Sequence, residues 1–218
     1  MKILISGTSK GIGKALAERF LFEGHEVIGI DILPSSIYHK NYQHFVADIS
    51  DKKSLPDIKD INVLINNAGV QNKNDIDVNL KGTINVTKKY AFQNKIKSVL
   101  FNASASARSG FEFPEYAASK AGVVSYMKSV AVELAKYGAT VNSISLGGVL
   151  TDSNKPVMDD KKSWDKIMEV TPLKKWMSLE EVSDWCYFIT MVNKSMSGQD
   201  ILIDNGELIL NSPFVWPK

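Results

Sequence analysis

In Tyr116-Ala117-Ala118-Ser119-Lys120, a phenol and an amine stand four residues apart, one turn along the same face of a helix. A free tyrosine titrates near pH ~10, too high for a general base at neutral pH. A neighbouring ammonium favours the phenolate and is expected to lower that value. Tyr116 could then pass a proton to or from a substrate oxygen while a hydride moves. Tyr-x-x-x-Lys is also common on plain amphipathic helices. Its weight here comes from its position after the fifth strand candidate, with serines upstream.

A second constellation lies at the start of the chain. Ser6-Gly7-Thr8-Ser9-Lys10-Gly11-Ile12-Gly13 follows an apolar run and opens a helical pattern. Glycines in such a junction let the backbone turn sharply and approach a pyrophosphate. The helix N-terminus adds free N–H groups and a positive dipole end. Asp31 ends the next strand, about 20 residues beyond the glycines, where a ribose-binding acid is expected. Its carboxylate could accept from both adenosine-ribose hydroxyls. It would repel a 2′-phosphate by about 4 kcal/mol at contact for an effective dielectric near 20. That favours NAD over NADP.

The elements that must hold these groups alternate. Strand candidates are 2–5, 26–30, 44–46, 62–65, 98–102, 139–144 and 200–203, rich in Ile, Val and Leu without polar alternation. Strands buried on both faces of a parallel sheet read this way. Helical patterns occupy 12–23, 77–94, 114–137 and 178–193, the last opened by a Ser178/Glu181 capping box. The expected fold is α/β: a single-domain, doubly wound Rossmann fold over 1–218, with a mostly parallel seven-stranded sheet and helices on both faces. Residues 151–175 are the least regular and are expected to cover the substrate. Met158, Trp164, Ile167 and Met168 there are candidate contacts, spaced equally well for the apolar face of a short helix.

The spacing G-x-x-x-G-x-G, followed by Asn66-Asn67-Ala68-Gly69 and Tyr116-x-x-x-Lys120, resembles the short-chain dehydrogenase/reductase family. The likeness runs from about residue 1 to 206. It implies an NAD(P)-dependent oxidoreductase acting on a secondary alcohol or ketone, with Tyr116 as general acid/base and Lys120 beside it. Gly7, Ser9, Lys10, Gly11, Ile12 and Gly13 would meet the dinucleotide. A basic residue at the position of Lys10 is common in NADP-using members, so NADP stays open. Asp48 and Ile49 resemble the adenine-contacting pair. Asn67, Ala68 and Gly69 would line the adenosine ribose, while Asn66 would tie neighbouring strands. Ser104 would fix the substrate oxygen as an oxyanion donor does, with Ser106 as the alternative. Asn79 matches a helix asparagine that holds a water of the proton relay. Residues 142–151 resemble the segment that grips the nicotinamide, through Gly147, the backbone of Val149 and the Thr151 hydroxyl, with Leu146-Gly147 where Pro-Gly is usual. Carrier-linked 3-oxoacyl reduction with NADPH lies within the same chemistry. The competing class is a non-catalytic dinucleotide-binding regulator.

The bulk composition fits this picture. Lys+Arg 26 against Asp+Glu 24 leaves +2, and no basic stripe points to nucleic acid. Cys186 is the only cysteine and lies in an apolar run, as a buried thiol would. His25, His39 and His44 lack metal-ligand spacing and read as surface or loop residues, so no metal is expected. No stretch suits a signal peptide or a membrane span, and a cytoplasmic protein is expected. The resemblance implies a homodimer or homotetramer built on 77–94 and 114–137, or on 178–193 and the last strand. Phe214-Val215-Trp216 is apolar for an exposed tail and is expected to dock. Two connections are short for the family: 31–48, broken by Pro34, and 69–79. They imply an open pocket that would accept bulky or carrier-linked substrates.

Overall fold

The computed structural model describes residues 1–110 and 113–208. The expected docking of Phe214-Val215-Trp216 lies outside the described residues.

Seven strands form one sheet: β1 (Lys2–Ser6), β2 (Glu26–Asp31), β3 (Tyr42–Val46), β4 (Val63–Asn66), β5 (Ser98–Asn102), β6 (Thr140–Leu146) and β7 (Asp200–Ile203). Their order is β3-β2-β1-β4-β5-β6-β7, and every pairing is parallel rather than mostly so. The order reverses between β1 and β4. Open sheets of this kind bind ligands at the carboxyl ends of the strands beside such a switch point.

Period-2 alternation assigns each strand residue to one of two cores. Ile3 and Ile5 pack with Leu16 and Phe20 of α1 (Gly11–Phe22) and with residues near the C-terminus. Leu4, between them, packs on the other face with Val86 of α2 (Thr83–Tyr90). A second short helix, α3 (Ser106–Ser109), follows β5. On the Leu4 face, α4 (Pro114–Leu134) adds Val123, Met127 and Val130. After β6 come α5 (Lys155–Met158), α6 (Lys161–Val170) and α7 (Leu179–Tyr187). Val182 and Cys186 of α7 join the core beside α1. The 151–175 stretch is therefore more helical than its irregular sequence implies.

The capping box forms as read: Ser178 Oγ accepts from the Glu181 N–H at 3.1 Å, and Glu181 Oε2 accepts from the Ser178 N–H at 2.9 Å. Two helices depart from expectation. The pattern at 77–94 opens as a π-helical segment, Ile76–Gly82, and passes into α2 only at Thr83. Its anchor is Asn79, whose side chain grips the Val70 backbone from both sides. Such widened turns recur at functional sites. The helix at 178–193 likewise ends in π turns, Phe188–Val192. Between β2 and β3 there is no helix, in keeping with the short, Pro34-interrupted connection. No helix among the described residues is long and apolar enough to cross a membrane.

Candidate active site

The first turn of α1 is drawn tight against β1. A Cβ on Gly13 would fall 1.9 Å from the Gly7 carbonyl oxygen, so only glycine allows this packing. Gly11 opens the helix at φ +56, and a Cβ there would meet nothing within 4 Å. Backbone N–H groups at the start of α1 thus border open space at the switch point. That is the cradle a pyrophosphate needs, and the residues present fit a dinucleotide.

Asp31 sits beside this cradle. Its Oδ2 accepts from the Ser9 N–H at 2.9 Å and its Oδ1 from the Leu33 N–H at 3.0 Å. Each oxygen keeps capacity for a ribose hydroxyl. Ser9 Oγ donates to the Leu33 carbonyl at 3.1 Å, and Ser36 Oγ to the Ser9 carbonyl at 2.7 Å. Where a helix is missing, side chains from β3 complete the scaffold. The Tyr42 hydroxyl donates to Thr8 Oγ1 at 2.8 Å and lies 2.9 Å from His44 Nδ1. His44 Nε2 donates to the Leu33 carbonyl at 2.9 Å. Gly29 makes room, since a Cβ there would stand 2.1 Å from the Tyr42 oxygen. His44 is therefore not a loop residue; it is a half-exposed residue of the edge strand with both ring nitrogens engaged. Lys10 caps α1 and lies within electrostatic reach of Asp152 across the cleft.

After β4, the Asn67 and Ala68 N–H groups donate to Ser6 Oγ at 3.0 and 3.1 Å. Asn67 Nδ2 donates to the Ser6 carbonyl, and Asn67 Oδ1 accepts from Asn102 Nδ2 at 2.9 Å. The residue that ties neighbouring strands is thus Asn67, not Asn66. Successive strand residues face opposite sides, and Asn66 faces α2, donating to Thr87 Oγ1 at 3.1 Å. Asp48 is exposed and accepts from Ser50, while Ile49 is buried against Gly82.

At the other end of the site, Pro114 starts α4 in the position proline prefers. Tyr116 and Lys120 follow, with Lys120 Nζ 5.7 Å from the centre of the Tyr116 ring. Lys120 is buried and donates to the Asn102 carbonyl at 2.8 Å. Ser104, which is also buried, acts on the Tyr116 hydroxyl and favours its ionised form. Ser106 instead opens α3 and donates its N–H to Ser104 Oγ at 3.2 Å. Ser104 is the serine brought to Tyr116. Asn79 Nδ2 donates to Ser119 Oγ at 3.0 Å, fastening the π-helical segment to α4.

The protonation balance differs from the sequence expectation. Burial raises the Tyr116 pKa above its ordinary value, Ser104 opposes this, and Asp75 adds to the rise. Burial lowers Lys120 to about 8, with Asp75 opposing. Desolvation of the phenolate outweighs the opposing influence of Ser104.

Beyond β6, Gly147 donates its N–H to the Ile203 carbonyl at 2.9 Å, and Val149 pairs with Met177. The Val149 carbonyl accepts from Asn154 Nδ2 at 2.8 Å. Thr151 follows, half-buried, at the turn into Asp152–Asn154. The Trp176 indole lies over Gly148, where a Cβ would be 2.0 Å from Nε1. Trp164 of α6 meets Trp176 edge-on at 5.1 Å. A cleft of about 460 Å³, lined by Asn72, Asn74, Asp75, Phe113, Pro114 and Glu115, opens at the first turn of α4. A larger depression of about 670 Å³ near Lys2, Glu26 and Tyr42 lies at the amino ends of the strands, away from this chemistry.

Comparison with known proteins gives this geometry its context. A family model described as enoyl-(acyl carrier protein) reductase matches residues 7–207. The chain belongs to the short-chain dehydrogenase/reductase family. It is 27% identical to the 3-oxoacyl-[acyl-carrier-protein] reductase FabG of Staphylococcus epidermidis, over 93% of this chain and 97% of that one. A short-chain dehydrogenase family protein of Francisella tularensis is 26% identical, with a TM-score of 0.83 over 94% of this chain and 98% of the other. ElxO, solved with NADP bound, is 25% identical, with a TM-score of 0.84 over 95% and 98%. This short-chain dehydrogenase/reductase is an NAD(P)-dependent oxidoreductase acting on CH–OH or C=O groups.

Sequence reasoning missed four residues around the site. Tyr42 and His44 act through strand register, and Trp176 through its fit over Gly148. Asp75 carries no motif at all; only its burial marks it. Cys186 is buried and its thiol is pushed up to about 12, which leaves it inert. No metal-binding cluster occurs among the described residues.

Proposed function

We propose that the chain interconverts a secondary alcohol and a ketone with NAD in preference to NADP, using Tyr116 as general acid/base. One observation carries this reading: Tyr116 meets Ser104 at its hydroxyl and Lys120 at its ring, beside the glycine cradle at the carboxyl ends of the strands.

The dinucleotide, when bound, supplies or accepts the hydride. Gly7, Ser9, Gly11, Ile12 and Gly13 bind its phosphates through backbone N–H groups, and Asp31 accepts from the adenosine-ribose hydroxyls. Asp48, Ile49, Asn67, Ala68 and Gly69 flank the adenosine. Gly147, Val149 and Thr151 orient the carboxamide. Tyr116 gives a proton to the carbonyl oxygen in reduction and takes it back in oxidation. Ser104 donates to the same oxygen and fixes its position. Lys120 holds positive charge beneath the Tyr116 ring, and Asn79 fixes the neighbouring backbone at Val70. The raised Tyr116 pKa keeps the phenol protonated at neutral pH, the form that reduction uses.

Residues 151–175 cover the substrate, with α6 docked through Trp164, and 1–218 act as one catalytic domain. A 3-oxoacyl group on a carrier, reduced with NADPH through Lys10, is the second reading. The relative in Staphylococcus epidermidis and the open cleft at the first turn of α4 favour it. Exposed Val132 on α4, and Trp185 and Phe188 after it, support a homodimer or homotetramer, and the cytoplasm is its place.

The test is coenzyme absorbance during reduction of a panel of ketones and 3-oxoacyl thioesters. Turnover faster with NADH than with NADPH is expected. Turnover of none of them with either coenzyme would remove the catalytic reading, and a preference for NADPH would transfer the weight to Lys10.

A further inference from the structure

We propose that Asp75 is a positioning residue of the proton-transfer site, its buried carboxylate being the counter-charge that holds Lys120 as an ammonium beneath Tyr116. The proposal rests on the reading that Tyr116 and Lys120 transfer the proton.

Asp75 immediately precedes the π-helical segment, four residues before Asn79. It is 2% exposed. Its Oδ2 accepts from the Asn72 N–H at 3.0 Å, while its Oδ1 is cut off from solvent with no hydrogen-bond partner. A buried carboxylate in that state is costly unless a positive charge lies within its field. Lys120 has the complementary deficit. It is 6% exposed, and its ammonium donates to a neutral acceptor, the Asn102 carbonyl. Neither group takes part in an ion pair within 4 Å among the described residues.

The π-helical segment that Asp75 opens packs on α4 beside Lys120. Asn79 bonds Ser119 of α4, the neighbour of Lys120. Gly69 fits between them: a Cβ there would lie 3.0 Å from Asn79 Oδ1 and 3.4 Å from Lys120 Nζ. Among the described residues, Asp75 is the charged group whose field reaches both Lys120 and Tyr116. The other groups on the packed elements do not compete. On α4, Glu115 is exposed and Tyr116 is the only other titratable neighbour. On the π-helical segment, Asp77 and Lys81 face solvent and pair with each other at 2.6 Å. β5 and the turn after β4 contribute the neutral Asn102, Asn67 and Gly69.

The sign follows from the charge. A carboxylate favours the protonated form of both neighbours, so it keeps Lys120 positive and Tyr116 a neutral phenol. Its removal lets both release protons at lower pH.

The experiment follows the ε-carbon of Lys120 by NMR in lysine-labelled protein, with Lys120→Arg assigning the resonance. Burial holds Lys120 at about 8 in the wild type, well below the ordinary lysine value of ~10.4. Asp75→Asn keeps the shape and removes the charge; it is expected to lower the midpoint by about one pH unit. Asp75→Glu should recover part of the shift, and Asp75→Ser carries the same prediction as Asp75→Asn should that variant not fold. An unmoved midpoint in a neutral variant whose other lysine resonances stay native would overturn the proposal. The readout needs no substrate. If the midpoint moves but Tyr116→Phe stays active, the counter-charge stands and the proton-transfer reading falls; if Tyr116→Phe is inactive and the midpoint is fixed, the reverse holds.

Discussion

Asp31 and Asp75 are both carboxylates beside the site, but they are held in opposite ways. Asp31 lies at the end of β2, partly open to solvent, with one backbone N–H on each oxygen. Asp75 is closed off and has one oxygen without a hydrogen-bond partner. An exposed charge is screened and acts through direct contact with whatever binds it. A buried one acts at a distance, because the same separation in a lower dielectric carries several times the energy. On the proposed reading, the Asp31 end recognises a dinucleotide by contact, and the Tyr116 end tunes protonation by burial.

The largest test of this division is Tyr116→Phe. Losing general acid/base transfer should cut ketone reduction by about 10²–10⁴-fold. NADH fluorescence titration should show the variant still binding the dinucleotide. A rate near that of the wild type would show that the buried end does not carry the proton.

A smaller effect is expected at the contact end from Tyr42→Phe. This removes the hydroxyl bonds to Thr8 and His44 while the ring stays in place beside Gly29. One such bond is worth about 1 kcal/mol, or roughly fivefold in affinity. NADH binding should weaken by that amount while the turnover number at saturating NADH stays unchanged. A fall in turnover with binding intact would join the two ends and break the comparison.

The parts legible in the sequence are those set by local pattern. The glycine junction, Asp31, Tyr116 with Lys120 and the Ser178 capping box all lie on the elements their spacing implied. All seven strands were visible as apolar runs, although β3 begins two residues earlier than read, because Tyr42 joins it through pairing with Val27. What depends on packing was not visible. Which asparagine ties the strands turns on the face at which β4 ends. The Tyr42–His44 link depends on Gly29 lying opposite His44 in the register. The direction of the Tyr116 shift depends on burial, which no spacing encodes. Asp75 sits in a connection shortened relative to the family, so no motif covers it. Its meaning appears only once the π-helical segment packs on α4.

The central claim is that a carboxylate at the end of β2 selects the dinucleotide for a proton-transfer site built elsewhere. Its most direct test is fluorescence titration of wild type and Asp31→Ala with NADH and NADPH. The wild type should prefer NADH, and Asp31→Ala should lose at least tenfold of that preference through weaker NADH binding and relieved repulsion of the 2′-phosphate. A wild type that binds NADPH more tightly, or an Asp31→Ala variant with an unchanged ratio, would contradict it.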